Sequence, residues 1–188
     1  MGTLRVSVAS SFIPLTPRYN DAEVGRFHMA KDYLRIAPVT QYDPTSCWAA
    51  ALEWWARAIG GRAVVRQLDL LNIYVRYWDS RDPDNNPNYG TISREGLISV
   101  INDSRWSMAA SAMPGARLTT ELLNQKMRLG PVILGYYEPA VSGNHVVVAY
   151  GASATHVAVM NPDGGHFRGL LVGHYSRSPE VILGVPTR

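Results

Sequence analysis

A chain of 188 residues with 46% hydrophobic and 18% charged side chains can bury a core of its own, and this composition excludes a disordered polymer. The basic residues behind the formal charge of +3, among them Arg5, Arg35, Arg57, Arg76, Arg105, Arg128 and Arg168, are dispersed, so no basic run offers a nucleic-acid backbone a track. The single cysteine excludes an internal disulfide and a zinc site built on several thiolates, and no apolar run approaches the length of a membrane span.

Residues 1–36 carry Pro14 and Pro17 and little sustained periodicity, so they read as an N-terminal arm with one short strand from Leu4 to Ala9. The opening stretch lacks the long apolar region of a secretory signal, which leaves the cytoplasm, or export by a specialised secretion system, as the expected locations. Residues 37–188 read as one domain. From Cys47 to Ile59 no helix breaker interrupts the chain until Gly60-Gly61, and the only charged residues are Glu53 and Arg57, a favourable i,i+4 pair. Trp48, Leu52, Trp54, Trp55 and Ile59 spread apolar surface round the rest, so this helix is expected to be buried, with Trp54 and Trp55 in the core.

A second helix is expected over Arg66 to Tyr77, followed by a polar loop from Asp79 to Gly90. Ser93 to Ile101 reads as a short helix, Trp106 to Ala110 as a strand, and Thr119 to Leu129 as a helix stopped by Gly130-Pro131. The remainder has the β-branched and aromatic runs of a sheet: Val132 to Tyr137, His145 to Tyr150, Val157 to Met160, Leu170 to Tyr175 and Val181 to Leu183. Helices first and strands last predict an α+β domain with segregated layers.

A thiol at a helix N-terminus sits in partial positive charge that lowers its pKa, and Cys47 occupies such a position. Gln41 lies six residues earlier, across a segment containing Pro44 that lets the chain fold back. Its side-chain amide and the Cys47 backbone N–H would together form an oxyanion hole for acyl transfer.

Gln41 followed by Cys47-Trp48-Ala49-Ala50 resembles the active-site helix of papain-like cysteine peptidases, and is particularly similar to the compact effector peptidases that pathogenic bacteria inject into host cells. The resemblance covers about residues 37–59 and 131–165, and departs from the lysosomal members in lacking their Gly and second Cys after the glutamine. It implies a papain-like fold: an N-terminal helical layer, holding the buried active-site helix, packed on a C-terminal antiparallel sheet. It also implies a protein or peptide substrate, no cofactor, and, for an effector or toxin, a host target or a cognate immunity protein.

Of the five histidines, His145 follows Gly143-Asn144 and opens the apolar run Val146 to Tyr150, which suits a general base at the mouth of a strand. It resembles the family's catalytic histidine. His28 falls in the arm, and His156, His166 and His174 read as surface or sheet residues. A turn over Gly151 to Ala154 sets His145 opposite Met160 or Asn161, making Asn161 a cross-strand neighbour able to fix the imidazole tautomer. Asp163, beyond Pro162 on a Gly-rich turn, is the rival orienting residue. Trp48 and Asn144, beside the nucleophile and base, are the expected substrate contacts.

Asp82, Asp84 and Asn86 imitate a calcium loop, but Pro87 stands where such a loop needs Gly and Ser93 where it needs Glu. The histidine spacing implies no metal. Cys47, His145, Asn161 and Gln41 therefore predict a cysteine peptidase. A thiol-dependent deamidase or transpeptidase, or a papain-like binding domain without turnover, are the alternatives.

Overall fold

The computed structural model describes residues 33–60, 63–79 and 90–187. The expected strand at Leu4 to Ala9, His28 and the calcium-like residues Asp82 to Pro87 lie outside these. The described elements form an α+β fold: helices α1 (Cys47–Ile59), α2 (Gln67–Ile73) and α3 (Arg94–Ile101), then strand β1 (Met108–Met113) and helix α4 (Thr120–Lys126). Strands β2 (Val132–Glu138), β3 (Gly143–Ala152), β4 (His156–Asn161) and β5 (His166–Leu171) follow, then a short helix α5 (Val172–Tyr175) and β6 (Val181–Pro186). Among the described residues no helix is long and apolar enough to cross a membrane.

The six strands make one sheet in the order β1-β6-β2-β3-β4-β5, with every neighbouring pair antiparallel. Side chains alternate across it as the pleat requires. Val146 and Val148 of β3, Ile133 of β2 and Met160 of β4 face the layer containing α1, whereas Val147, Ala149, Leu134 and Val159 face a second cluster with Leu123 of α4 and Tyr175. Both faces of the sheet are thus covered, which explains why its central strands are nearly continuous apolar runs.

Helix α1 has the bounds read from the sequence, and all of its residues but Arg57 and Ile59 are buried. Burying tryptophans requires a partner for each indole N–H. Trp48 donates to Gly90 O at 2.7 Å, Trp54 to Ile36 O at 3.3 Å and Trp55 to Pro131 O at 2.7 Å. Glu53, a carboxylate buried on the same helix, pairs with Arg57 and accepts the Gln67 N–H at 2.8 Å. Gly60, at φ 67°, ends the helix in the left-handed region that glycine adopts without strain. Within the expected arm, Tyr33 is buried against Trp54 and Tyr150.

Other elements differ from the sequence reading. The second helix stops at Ile73 and a 3-10 turn, Val75–Tyr77, continues it, consistent with the stiffness of β-branched Ile73 and Val75. The strand expected at Trp106 begins instead at Met108, because Trp106 closes a turn on Asp103 and gives its indole N–H to the Tyr74 hydroxyl at 2.9 Å. The strand expected over Leu170 to Tyr175 is divided: β5 ends at Leu171 and Val172–Tyr175 coils into α5. Packing overrides the β-propensity of this run, since Tyr175 turns in to meet Tyr136 with ring centroids 4.8 Å apart.

Trp55→Ala removes a fully buried indole and leaves the Pro131 carbonyl without its donor. It is expected to lower stability by about 3–5 kcal/mol, read as a shift of the urea midpoint.

Candidate active site

The site forms where two strands of unequal reach meet the start of α1. The last paired residues of β3 and β4 at this end are Val148 and Met160, and β3 runs on beyond them to Gly143 alongside β2. Continuing that register puts Asn161 beside Val147, so the expected pairing of His145 directly opposite Met160 or Asn161 is displaced. The cause is a turn set two residues later, with Ser153 N–H bonded to His156 O, together with an irregularity between Ala149 and Gly151. His145 and Asn161 are instead diagonal neighbours on one face, a spacing that long side chains bridge. They do so: His145 Nε2 and Asn161 Oδ1 are 2.7 Å apart.

The orientation of that amide is pinned independently. The backbone N–H of Asp163 donates to Asn161 Oδ1 at 3.1 Å, so this atom is the acceptor and His145 Nε2 must carry the proton. The lone pair of the neutral ring is then on Nδ1, as a base for another group requires. Asp163 serves the arrangement through its backbone, while its exposed carboxylate acts on His145 only by charge.

Where β4 has ended, the start of α1 takes its place. The backbone N–H of Val146, the residue after His145, and those of Trp48 and Cys47 are near enough to the Cys47 sulfur to favour its charged form. These helical amides are available because Ser46, at the N-cap, makes no capping bond; its hydroxyl accepts from Asp43 N–H at 3.1 Å instead. The sulfur therefore lies against the peptide that joins His145 to Val146, within a set of donors suited to an anion.

Burial sets the resting charge. Cys47 is 6% exposed, His145 5% and Asn161 3%. Desolvation pushes the thiol up to about 11, against the Val146 and Trp48 donors that lower it, and the Asp43 carboxylate raises it further. Desolvation also holds the His145 imidazole below its ordinary value, outweighing the Asn161 bond and the charges of Asp163 and Glu138, with Arg168 adding to the depression. Both shifts favour the uncharged forms, thiol and neutral imidazole.

Gln41 is held beside this group, its backbone N–H donating to Pro162 O at 3.0 Å. Its side-chain Nε2 donates to Asp43 O at 2.9 Å, which occupies one of the two amide hydrogens and leaves the other for a ligand. Its Oε1 is buried and has no partner among the described residues. Trp48 is only 1% exposed and packs edge-on against Tyr74, so it presents no face to solvent. Asn144 is exposed on β3, paired with Tyr137 of β2.

One group behind the imidazole was not legible in the sequence. Tyr136, paired with His145 across β2 and β3, stands edge-on to it with ring centroids 6.1 Å apart. Its hydroxyl donates to Glu138 Oε2 at 2.9 Å, and His174, expected only as a surface or sheet residue, reaches the same oxygen at 2.9 Å from α5. Burial raises the Glu138 carboxyl, but donors from Ala140, His174 and Tyr136 outweigh it and hold the group below the usual range. Nothing in the local sequence links these residues, which meet only because α5 folds back over β2.

No protein-family model matches the chain, and no curated protein does. Solved structures do resemble it. The peptidase domain of Streptococcus ComA, a bi-functional ABC transporter involved in quorum sensing, superposes with a TM-score of 0.56 at 14% identity over 81% of this chain and 99% of that one. A protein from Bacillus anthracis described as a C39-like peptidase superposes with a TM-score of 0.53 at 13% identity, over 80% of this chain and 94% of that one. The chain shares the papain-like α+β fold of these two structures.

Because the native imidazole binds its proton more weakly than in the unfolded chain, acid favours unfolding at this position. Stability is expected to fall as the pH drops below the ordinary histidine value of 6.5, and His145→Gln should flatten that slope in denaturant titrations.

Proposed function

We propose that the chain is a cysteine peptidase in which Cys47 is the nucleophile, His145 the general base and acid, Asn161 the orienting residue and Gln41 an oxyanion donor. The observation that carries this reading is the 2.7 Å bond between His145 and Asn161, with the Cys47 sulfur against the His145–Val146 peptide. Two structural neighbours described as peptidases support it.

The chemistry starts from the uncharged pair. As Sγ adds to the scissile carbonyl carbon, the thiol proton passes to His145 Nδ1, and the imidazolium is stabilised by the Asn161 oxygen at Nε2. The carbonyl oxygen becomes an oxyanion, with the Cys47 N–H and the free Gln41 amide hydrogen as its donors. Collapse breaks the C–N bond, the leaving amine takes the proton from His145, and a thioester remains on Cys47. Water then attacks that thioester while His145 takes one of its protons. The carboxylic acid leaves and the thiol is restored.

The substrate is assigned as a protein or peptide. Within the class, the effector or toxin role rests on the Gln41 and Cys47-Trp48-Ala49-Ala50 resemblance, and cleavage of a host protein is the activity that role requires.

Cys47→Ala should lower peptide-bond cleavage by about 10⁴-fold or more while leaving the circular dichroism spectrum intact, and unchanged turnover by that variant sinks the assignment. His145→Ala is expected to reduce kcat by about 10²–10⁴-fold. Product masses shifted by deamidation or by amine transfer, without chain cleavage, would instead identify the thiol-dependent alternatives.

A further inference from the structure

The segment carrying Gln41 has no regular secondary structure, yet an oxyanion donor must be placed closely to act. One side chain spans it. Gln67, the first residue of α2, accepts the Tyr42 N–H on its Oε1 at 2.8 Å and donates from Nε2 to Thr40 O at 2.8 Å. A single amide thus pairs with the backbone on both sides of Gln41, as a neighbouring strand would. On the opposite side, Gln41 N–H bonds to Pro162 O in the turn that follows Asn161.

Gln67 is itself fixed. Its backbone N–H donates to Glu53 Oε2 at 2.8 Å, and Glu53 is buried on α1, six residues after Cys47, where it also pairs with Arg57. Leu70 and Leu71 bury the next turn of α2 against α1. A rigid path therefore runs from the helix that bears the nucleophile, through Glu53 and Gln67, to the backbone that bears Gln41. The Pro162–Gly165 turn closes the other side tightly, since a Cβ on Gly165 would lie 2.0 Å from Thr40 Oγ1.

We propose that Gln67 is a positioning residue for the oxyanion hole: its side-chain amide sets the place of Gln41 relative to Cys47 without touching the substrate. The proposal rests on the peptidase reading given above.

The test compares two reactions of the same sulfur. Acylation of Cys47 by p-nitrophenyl acetate passes through a tetrahedral oxyanion: the S–C bond forms, p-nitrophenolate leaves, and His145 takes the thiol proton. Alkylation by iodoacetamide displaces iodide and forms no oxyanion. Gln67→Met keeps the length and bulk of the side chain but makes neither hydrogen bond. It should slow acylation by about tenfold and leave the alkylation rate within twofold of wild type, whereas Gln41→Ala should slow acylation by about 10²-fold.

In the Gln41→Ala background, Gln67→Met should have no further effect on acylation, because the group it positions is gone. Gln67→Ala is measured alongside, with circular dichroism, so that misfolding of one variant is not read as lost positioning. Unchanged acylation in folded Gln67→Met and Gln67→Ala, or effects of Gln67 and Gln41 substitutions that multiply, would overturn the proposal. A wild-type protein that iodoacetamide labels at Cys47 but p-nitrophenyl acetate does not acylate overturns the peptidase reading itself, and the positioning role with it.

Discussion

The site depends on one mismatch of length: β3 continues past the point where β4 stops. A strand that outruns its partner leaves backbone donors unpaired, and inside a protein such groups must be satisfied. Here the Val146 N–H lies near the Cys47 sulfur, so the start of α1 approaches β3 beyond the last β4 pair. The same early stop leaves Asn161 at the end of β4, two residues diagonal to His145, where its amide meets the ring. Imidazole and amide are brought together by how one sheet edge is finished, and the helix start that bears the sulfur reaches the same edge at Val146.

The packing around that edge holds it rigid. Helix α1 is buried on nearly every side, and its three indole N–H groups are spent on the carbonyls of Ile36, Gly90 and Pro131, which belong to three separate stretches of chain. A rotation or slide of the helix would break those bonds together. The sheet below is equally constrained, because Val146 and Val148 face α1 while Val147 and Ala149 face the opposite cluster. A slip of one residue would exchange those faces. Glu53 extends the same order outward, since a buried carboxylate needs partners and finds them in Arg57 and the first amide of α2.

How much of this could be read beforehand followed the range of the interaction. The bounds of α1, the order of helices before strands and the apolar runs of β2, β3, β4 and β6 are local patterns, and the structure has them. The proximity of His145 and Asn161 is present, although the register from which it was expected is displaced by the turn at Ser153 and the irregularity after Ala149. Turn position is not fixed by residue types when Gly151, Ala152, Ser153 and Ala154 are all turn-compatible. The coiling of Val172–Tyr175 is set by Tyr136, far away in sequence, and not by its own β-branched and aromatic residues. The bridge from Gln67 to Thr40 and Tyr42 spans 27 and 25 residues, and a lone glutamine at a helix start gives no sign of it.

The burial of Cys47 bears on more than proton transfer. Peroxides attack the thiolate of cysteine, and the burial that pushes the Cys47 thiol up to about 11 disfavours that form and limits access to it. With no second cysteine in the chain, such a thiol also has no intramolecular route to a disulfide. Burial and the raised thiol pKa thus both act against oxidation of the resting sulfur.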